Sequence, residues 1–275
     1  MSAGAGRPAA LGVARSVAGA AVVAAWLLPY AWMVLTSLKT VRELVEHPLR
    51  ILPERPGLDS YREVFSAMPV GRYLAVTSAM ALMIAASQIT LALPAGYALA
   101  KLRFRGKRFA FGVAIACLLV PAQAIFVPVF SMFARLRMVD TMAALVLPFA
   151  ASAFGTFLVR QALLSVPDEI IEAARMDGAG EWTIVYRILA PMIRPTMVSL
   201  FLVSFVFHFS DYFWPLVMTT DDAVRTLPLG VALLREQGTG VRWNIVMAGN
   251  VVLSLPVLAL FVATERYLVR GIRAQ

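Results

Sequence analysis

Six runs of about 20 apolar residues limit what this chain can fold into, because a helix rising about 1.5 Å per residue needs that length to cross roughly 30 Å of hydrocarbon. They fall at about 17–38, 73–100, 109–134, 138–164, 196–218 and 243–268. The 275 residues are 60% hydrophobic and 15% charged, with a mean hydropathy of +0.77. That is far more apolar than an ordinary soluble domain. Inside lipid every backbone polar group must be satisfied within the protein, so apolar spans of this length are helical. The expected class is therefore an all-α polytopic membrane protein, one domain over 1–275.

Prolines stand inside the runs at Pro29, Pro94, Pro121, Pro128, Pro148, Pro215 and Pro256. A soluble helix would lose about 3 kcal/mol at each, whereas packed neighbouring spans can re-satisfy the freed carbonyls. The first run follows Arg7 and Arg15 as a secretory signal would. It is too long for a signal core, and bulky Trp26, Leu27, Tyr30 and Trp32 leave no small-residue cleavage site, so it is read as a retained span.

Charge orients the bundle. The connector KLRFRGKR, residues 101–108, holds five Lys/Arg and no acid, which places it in the cytoplasm. By alternation both termini and the 165–195 connector are cytoplasmic, and 39–72, 135–140 and 219–242 lie outside. The net charge of +9 and pI near 10.3 raise nucleic acid as a partner. The basic residues instead sit at membrane edges, where anionic lipid headgroups attract them. The single Cys117 cannot form an internal disulfide and is expected to be a small buried hydrophobe.

Several chemistries are excluded. With only His47 and His208, the chain has no HExxH zinc motif, and it has no GxxxxGK[ST] phosphate loop or GxSxG nucleophile elbow. No metal site and no catalytic constellation is expected. A self-contained secondary transporter, coupled to protons or ions, is the alternative reading, and it needs ionisable groups in the membrane. Only His208 and Asp211 qualify, and their spacing lets them share a helix face and pair. Polar residues that can line a path or bond one helix to another are Gln88, Gln123, Ser204, His208, Asp211, Tyr212 and Asn250.

The segment VPDEIIEAARMDGAGEWTIVYRILAP, 166–191, is the polar exception in a greasy chain. Ser165 can cap a helix, with Asp168 completing an S-x-x-D box, Pro167 suiting the first turn, and Asp168 and Glu169 favouring the N-terminal dipole. Gly178 permits a turn before a second helical piece opens at about Glu181. Ala173 and Ala174 leave one side of the first piece nearly bare beside the charge of Glu172. Such a short polar helix projecting from a membrane bundle suits a soluble socket.

Glu172-Ala173-Ala174, three residues, Gly178, then Ile188 and Pro191 resemble the EAA motif (EAA-x3-G-x9-I-x-L-P) of ABC importer permease subunits, with Ala190 where Leu is usual. The stretches ILPERPGLDSYREVF, GYALAKLRFRGKR, PVFSMFARLRMVDTMAALVLP, FLVRQALLSVPDEIIEAARMDG and DYFWPL are similar to the sugar-importer branch, of MalG type, over almost the whole chain.

The resemblance implies a MetI/MalG-like fold of six transmembrane helices with a cytoplasmic coupling helix, in the bacterial cytoplasmic (inner) membrane. It implies a second permease subunit, a dimer of ATP-binding-cassette ATPases, and an extracytoplasmic solute-binding protein that delivers a carbohydrate; glycerophosphate or another non-sugar solute is the alternative. The chain itself would bind no cofactor, ATP and Mg being used by the ATPases. By that comparison Glu172, Ala173, Ala174, Asp177 and Gly178 carry the coupling. The 219–242 segment matches the family's loop that probes the binding protein, and Gly238-Thr239-Gly240 favours its mobility. Two departures matter: Phe209-Ser210 replaces the Trp-Asn found before the acid in many relatives, and the sequence stops at Ala274-Gln275 without the usual Gly- and Lys-rich tail.

Overall fold

Helices supply every regular element among the described residues, 7–235 and 242–273 of the computed structural model. In chain order they begin with α1 (Arg7–Ser37), α2 (Val41–Glu46), α3 (Asp59–Ala67), α4 (Val70–Lys101), α5 (Lys107–Leu118) and α6 (Ala122–Arg135). There follow α7 (Met142–Val146), α8 (Ala153–Leu164), α9 (Asp168–Met176), α10 (Glu181–Thr183) and α11 (Ala190–Met192), the last two joined by a π-helical stretch, Ile184–Leu189. The chain ends with α12 (Arg194–Phe209), α13 (Phe213–Met218), α14 (Leu227–Leu233) and α15 (Trp243–Arg273). The Gly238-Thr239-Gly240 turn lies outside the described residues.

Among the described residues, three stretches are each long and apolar enough to cross a membrane unbroken: Arg15–Ser37, Val70–Lys101 and Trp243–Thr264. The third, fourth and fifth apolar runs are broken, and for identifiable reasons. Pro121 cannot donate to the end of α5 and instead stands at the N-terminus of α6. Pro148 sits in a 3-10 turn, Leu147–Phe149, after which the chain bends by 43° into α8. The fifth run stops at Phe209, and α13 restarts beyond a short turn. On its N-terminal side, the pair Glu181–Met192 and Arg194–Phe209 is bent by 86°. Counting each bent pair as one span gives up to six. Pro29, Pro94, Pro128 and Pro256 stay inside continuous helices. Cys117 is exposed rather than buried, because α5 buries none of its residues and turns that side out of the chain.

The chain forms two compact units. One comprises Met1–Pro69 with Val231–Ser254. Its loops are held by polar ties: Asn244 Nδ2 donates to Ser60 Oγ at 3.0 Å, Arg242 pairs with Glu63, and Glu43 accepts from the Glu54 N–H at 2.8 Å. Lys39 is buried yet satisfied, donating to the Arg50 carbonyl with its ammonium 5.4 Å from the Trp32 ring centroid. Membrane-length α1 contributes no buried residue over its apolar window, with Trp26 78% exposed.

The other unit comprises Val70–Gly230 with Leu255–Gln275, and α4 is its axis, packed on α8 and α12. One core joins Leu93 and Tyr97 of α4, Val159 and Leu163 of α8, Ile171 of α9, Ile184 and Leu189 of the π-helical stretch and Leu200 of α12. Gly96 permits the close approach of α4 to α8: a Cβ there would lie 2.6 Å from Val159 Cγ1 and 3.0 Å from the Arg160 backbone nitrogen. A second core gathers Met80, Ile84, Phe133, Leu145, Trp214 and Met218, with Trp214 Nε1 donating to the Ala144 carbonyl at 3.0 Å. Beside it, Asp140 accepts from the Asp221 N–H and from the N–H and hydroxyl of Thr220. The Asp221 N–H first, then Thr220, hold the Asp140 carboxyl below its ordinary range. Thr77 donates to the Tyr73 carbonyl (2.6 Å) and accepts from the Leu227 N–H (2.7 Å).

Candidate functional site

The 166–191 segment folds as two helical pieces meeting at a corner, and the corner is closed by backbone hydrogen bonds. Gly178 has φ +80°, the Gly178 N–H donates to the Arg175 carbonyl at 3.0 Å, and the Ala179 N–H donates to the Ala174 carbonyl at 2.9 Å. These two bonds around a left-handed residue make a Schellman termination, which favours glycine at that position. The second piece opens at Glu181 as its sequence predicts.

The start of α9 differs from expectation. Ser165 belongs to the end of α8, where its hydroxyl donates to the Ala162 carbonyl at 2.7 Å, so it caps nothing on α9. The residue that flanks α9 is Pro167, two positions after the Ser165 that its sequence suggests as the cap, and it has no side-chain cap. The dipole is served instead by Asp168 and Glu169 in the first turn. Asp168 also pairs with Lys101 at 2.6 Å, and that ammonium holds its carboxyl below the ordinary range.

α9 is amphipathic, and the two alanines part company. Ala174 lies in the core with Ile171, while Ala173 and Glu172 face out. The bare side is thus partly used by the chain itself, since α9 must bury a face to be held at a fixed angle. Glu172 lines an open depression of roughly 380 Å³ with Lys101, Leu102, Arg103, Asp168, Ile171 and Arg175. Asp177 and Gly178 are exposed at the tip. Next to them is a cluster that sequence reasoning missed. Tyr97 Oη donates to Glu181 at 2.6 Å, Arg175 Nε donates to Glu181 at 3.0 Å, and Arg175 Nη2 donates to Tyr97 Oη at 3.0 Å. The Glu181 carboxylate raises the Arg175 guanidinium above its ordinary value.

The intramembrane polar residues divide. Gln88 and His208 meet: Gln88 Nε2 donates to the Phe149 carbonyl at 2.8 Å and lies 3.4 Å from His208 Nε2. The His208 ring also lies against Phe149, 4.9 Å between centroids. Ser204, one helical turn before His208, is buried with its hydroxyl unpartnered. Asp211 does not pair with His208, because α12 ends at Phe209 and the shared helix face is lost. Its carboxylate accepts from the N–H groups of Phe213 (3.0 Å) and Trp214 (3.5 Å) and starts α13. Tyr212 and Gln123 are exposed on the isolated chain. Asn250 belongs to the other unit and donates to the Val246 carbonyl on its own helix.

Asp211→Asn isolates the charge, since an amide oxygen can keep the bond to the Phe213 N–H. We expect this variant to retain its ATPase partners in pull-downs while uptake falls severalfold; unchanged uptake would leave Asp211 as a turn former only.

Residues 92–274 match the family described as the binding-protein-dependent transport system inner membrane component. The chain belongs to this family. It is a permease subunit of a binding-protein-dependent ABC importer, with that family's all-helical fold. Among its relatives, the sn-glycerol-3-phosphate transport system permease protein UgpE of Yersinia enterocolitica is 32% identical over 208 residues, covering 75% of this chain and 74% of that protein. The protein of the same description from Brucella abortus is 30% identical over 252 residues, 89% of each chain. In structure the permease resembles a chain of a bacterial ABC transporter that imports the acidic polysaccharide alginate, with a TM-score of 0.81 at 20% identity over 97% of this chain and 99% of that one. A chain of the MetNI methionine ABC transporter gives 0.54 at 21% identity, over 72% and 94%.

Proposed function

We propose that this permease forms, with a second permease subunit, the path for a carbohydrate handed over by an extracytoplasmic binding protein, and that α9 docks the pair onto two cytoplasmic ATPases. The observation that carries the docking role is the division of α9: Ile171 and Ala174 are sunk in the permease core while Glu172, Ala173 and the Asp177-Gly178 tip face out. A helix held this way can take a push at one face and pass it to the bundle through the other. The chain performs no chemistry in this reading. ATP and Mg act in the ATPases, whose binding of ATP must favour one permease conformation over another for transport to follow. Six spans with both termini and α9 in the cytoplasm accord with the basic 101–108 connector.

Glu172→Lys tests the docking directly. Purified in mild detergent from native membranes, the wild type should bring an ATPase and a second permease, and the variant should lose the ATPase. Recovery of equal ATPase by both would remove α9 from the interface.

Gln88, Ser204 and His208 are the residues we assign to the path, with Asp211 and Tyr212 near its outer end. Glycerophosphate is the second reading for the solute, favoured by the UgpE relatives, which are described as permeases of sn-glycerol-3-phosphate transport systems. Uptake of labelled glycerol 3-phosphate against labelled oligosaccharide by the whole importer separates the two.

A further inference from the structure

Both ends of α9 are tied to one face of one helix. At its start, Lys101 Nζ donates to the Asp168 carboxylate (2.6 Å) and to the Val166 carbonyl (2.5 Å). At its end, Tyr97 Oη bonds to Arg175 (3.0 Å) and to Glu181 (2.6 Å), which also bond each other across the Gly178 corner. Tyr97 and Lys101 are four apart on α4, so they stand one above the other on the same side of its last turns. Tyr97 is 3% exposed and the Lys101 side chain 9% exposed, so both ties are sheltered on the α4 side. Between them the apolar face of α9 is in the core that contains Leu93 and Tyr97.

We propose that Tyr97 and Lys101 are positioning residues that strap α9 at both ends to the last turns of α4, so that α4 is the helix through which movement of α9 enters the bundle. This rests on the docking role assigned to α9. With both straps closed, α9 cannot pivot about its midpoint or slide along α4 without breaking charge-assisted hydrogen bonds at one end. A displacement of α9 is therefore a displacement of α4, and through the Gly96 contact of α8. With one strap open, α9 can swing about the other, and part of each ATPase stroke is spent on that swing.

The test uses the whole importer in proteoliposomes with Tyr97→Phe, Lys101→Met and the double variant. Tyr97→Phe removes one oxygen and keeps the ring in the core, so folding is preserved. Co-purified ATPase is measured first; its absence from the wild type would overturn the docking role, not the straps. Where it is present, we expect ATP turnover to persist while solute moved per ATP falls roughly three- to tenfold in each single variant, the net scale of one hydrogen bond. Spin labels at exposed Met176 on α9 and Met83 on α4, with Cys117 replaced by Ser, add a readout that general destabilisation would not mimic. Their separation should stay narrow and unchanged on ATP addition in the wild type, and become broad and ATP-dependent in the double variant. Wild-type coupling in the double variant, or a wild-type α4–α9 distance that itself shifts with ATP, would overturn the proposal.

Discussion

Gly178→Pro will insert normally and support ATP hydrolysis by its partners while moving little or no solute. The turn needs two things at that position that proline lacks. Its φ is +80°, far from the roughly −65° that the proline ring imposes, and its N–H is bonded to the Arg175 carbonyl. Alanine meets only the first obstacle, and nothing lies within 4 Å of where its Cβ would sit. Gly178→Ala should therefore cost about 1–2 kcal/mol in the turn alone, a partial loss of coupling, and the proline variant a near-complete one. Uptake and ATP turnover measured side by side in proteoliposomes check this. Normal uptake by the proline variant would show that the corner does not transmit force.

Gly96→Ala will destabilise this permease measurably. The new methyl would sit within 3.0 Å of three atoms on α8: Val159 Cγ1, Val159 Cβ and the Arg160 backbone nitrogen. Val159 is fully buried, and a backbone nitrogen cannot swing aside. Overpacking of this kind costs about 1–3 kcal/mol, so the unfolding midpoint in detergent should fall by about 5 °C. Adding Val159→Ala should return part of the loss, because two residues in contact do not act additively. A midpoint equal to wild type for Gly96→Ala would mean that α4 and α8 separate freely in solution.

The α9 corner was legible in the sequence because its determinants are local. Gly178 and the switch at Glu181 each act within a few residues, and the structure places the turn and the second helix where those signals stand. The unbroken second span was equally legible from hydropathy, since Pro94 leaves α4 continuous. The breaks at Pro121 and Pro148 were not, because proline tolerated within a span and proline ending one look alike until neighbours decide which carbonyls are re-satisfied. The cluster of Tyr97, Arg175 and Glu181 left no signal at all. Arg175 and Glu181 lie 78 and 84 residues beyond Tyr97, Lys101 reads as a topology marker, and Tyr97 as one more apolar residue. Ser165 misled for the opposite reason: a good capping residue was already part of α8 when α9 began.

α4 carries polar anchors well apart along its buried length: Thr77, which accepts the Leu227 N–H, and Tyr97, which reaches Glu181 and Arg175. They are about twenty residues apart, roughly 30 Å of helix and close to the thickness of the hydrocarbon layer. Inserting or deleting a single residue between them would turn one anchor about 100° away from its partner. A change of length inside α4 therefore breaks an anchor that the same change in an exposed connector would leave in place: the residue count of this helix, more than the identity of most of its side chains, sets the alignment of its two anchors.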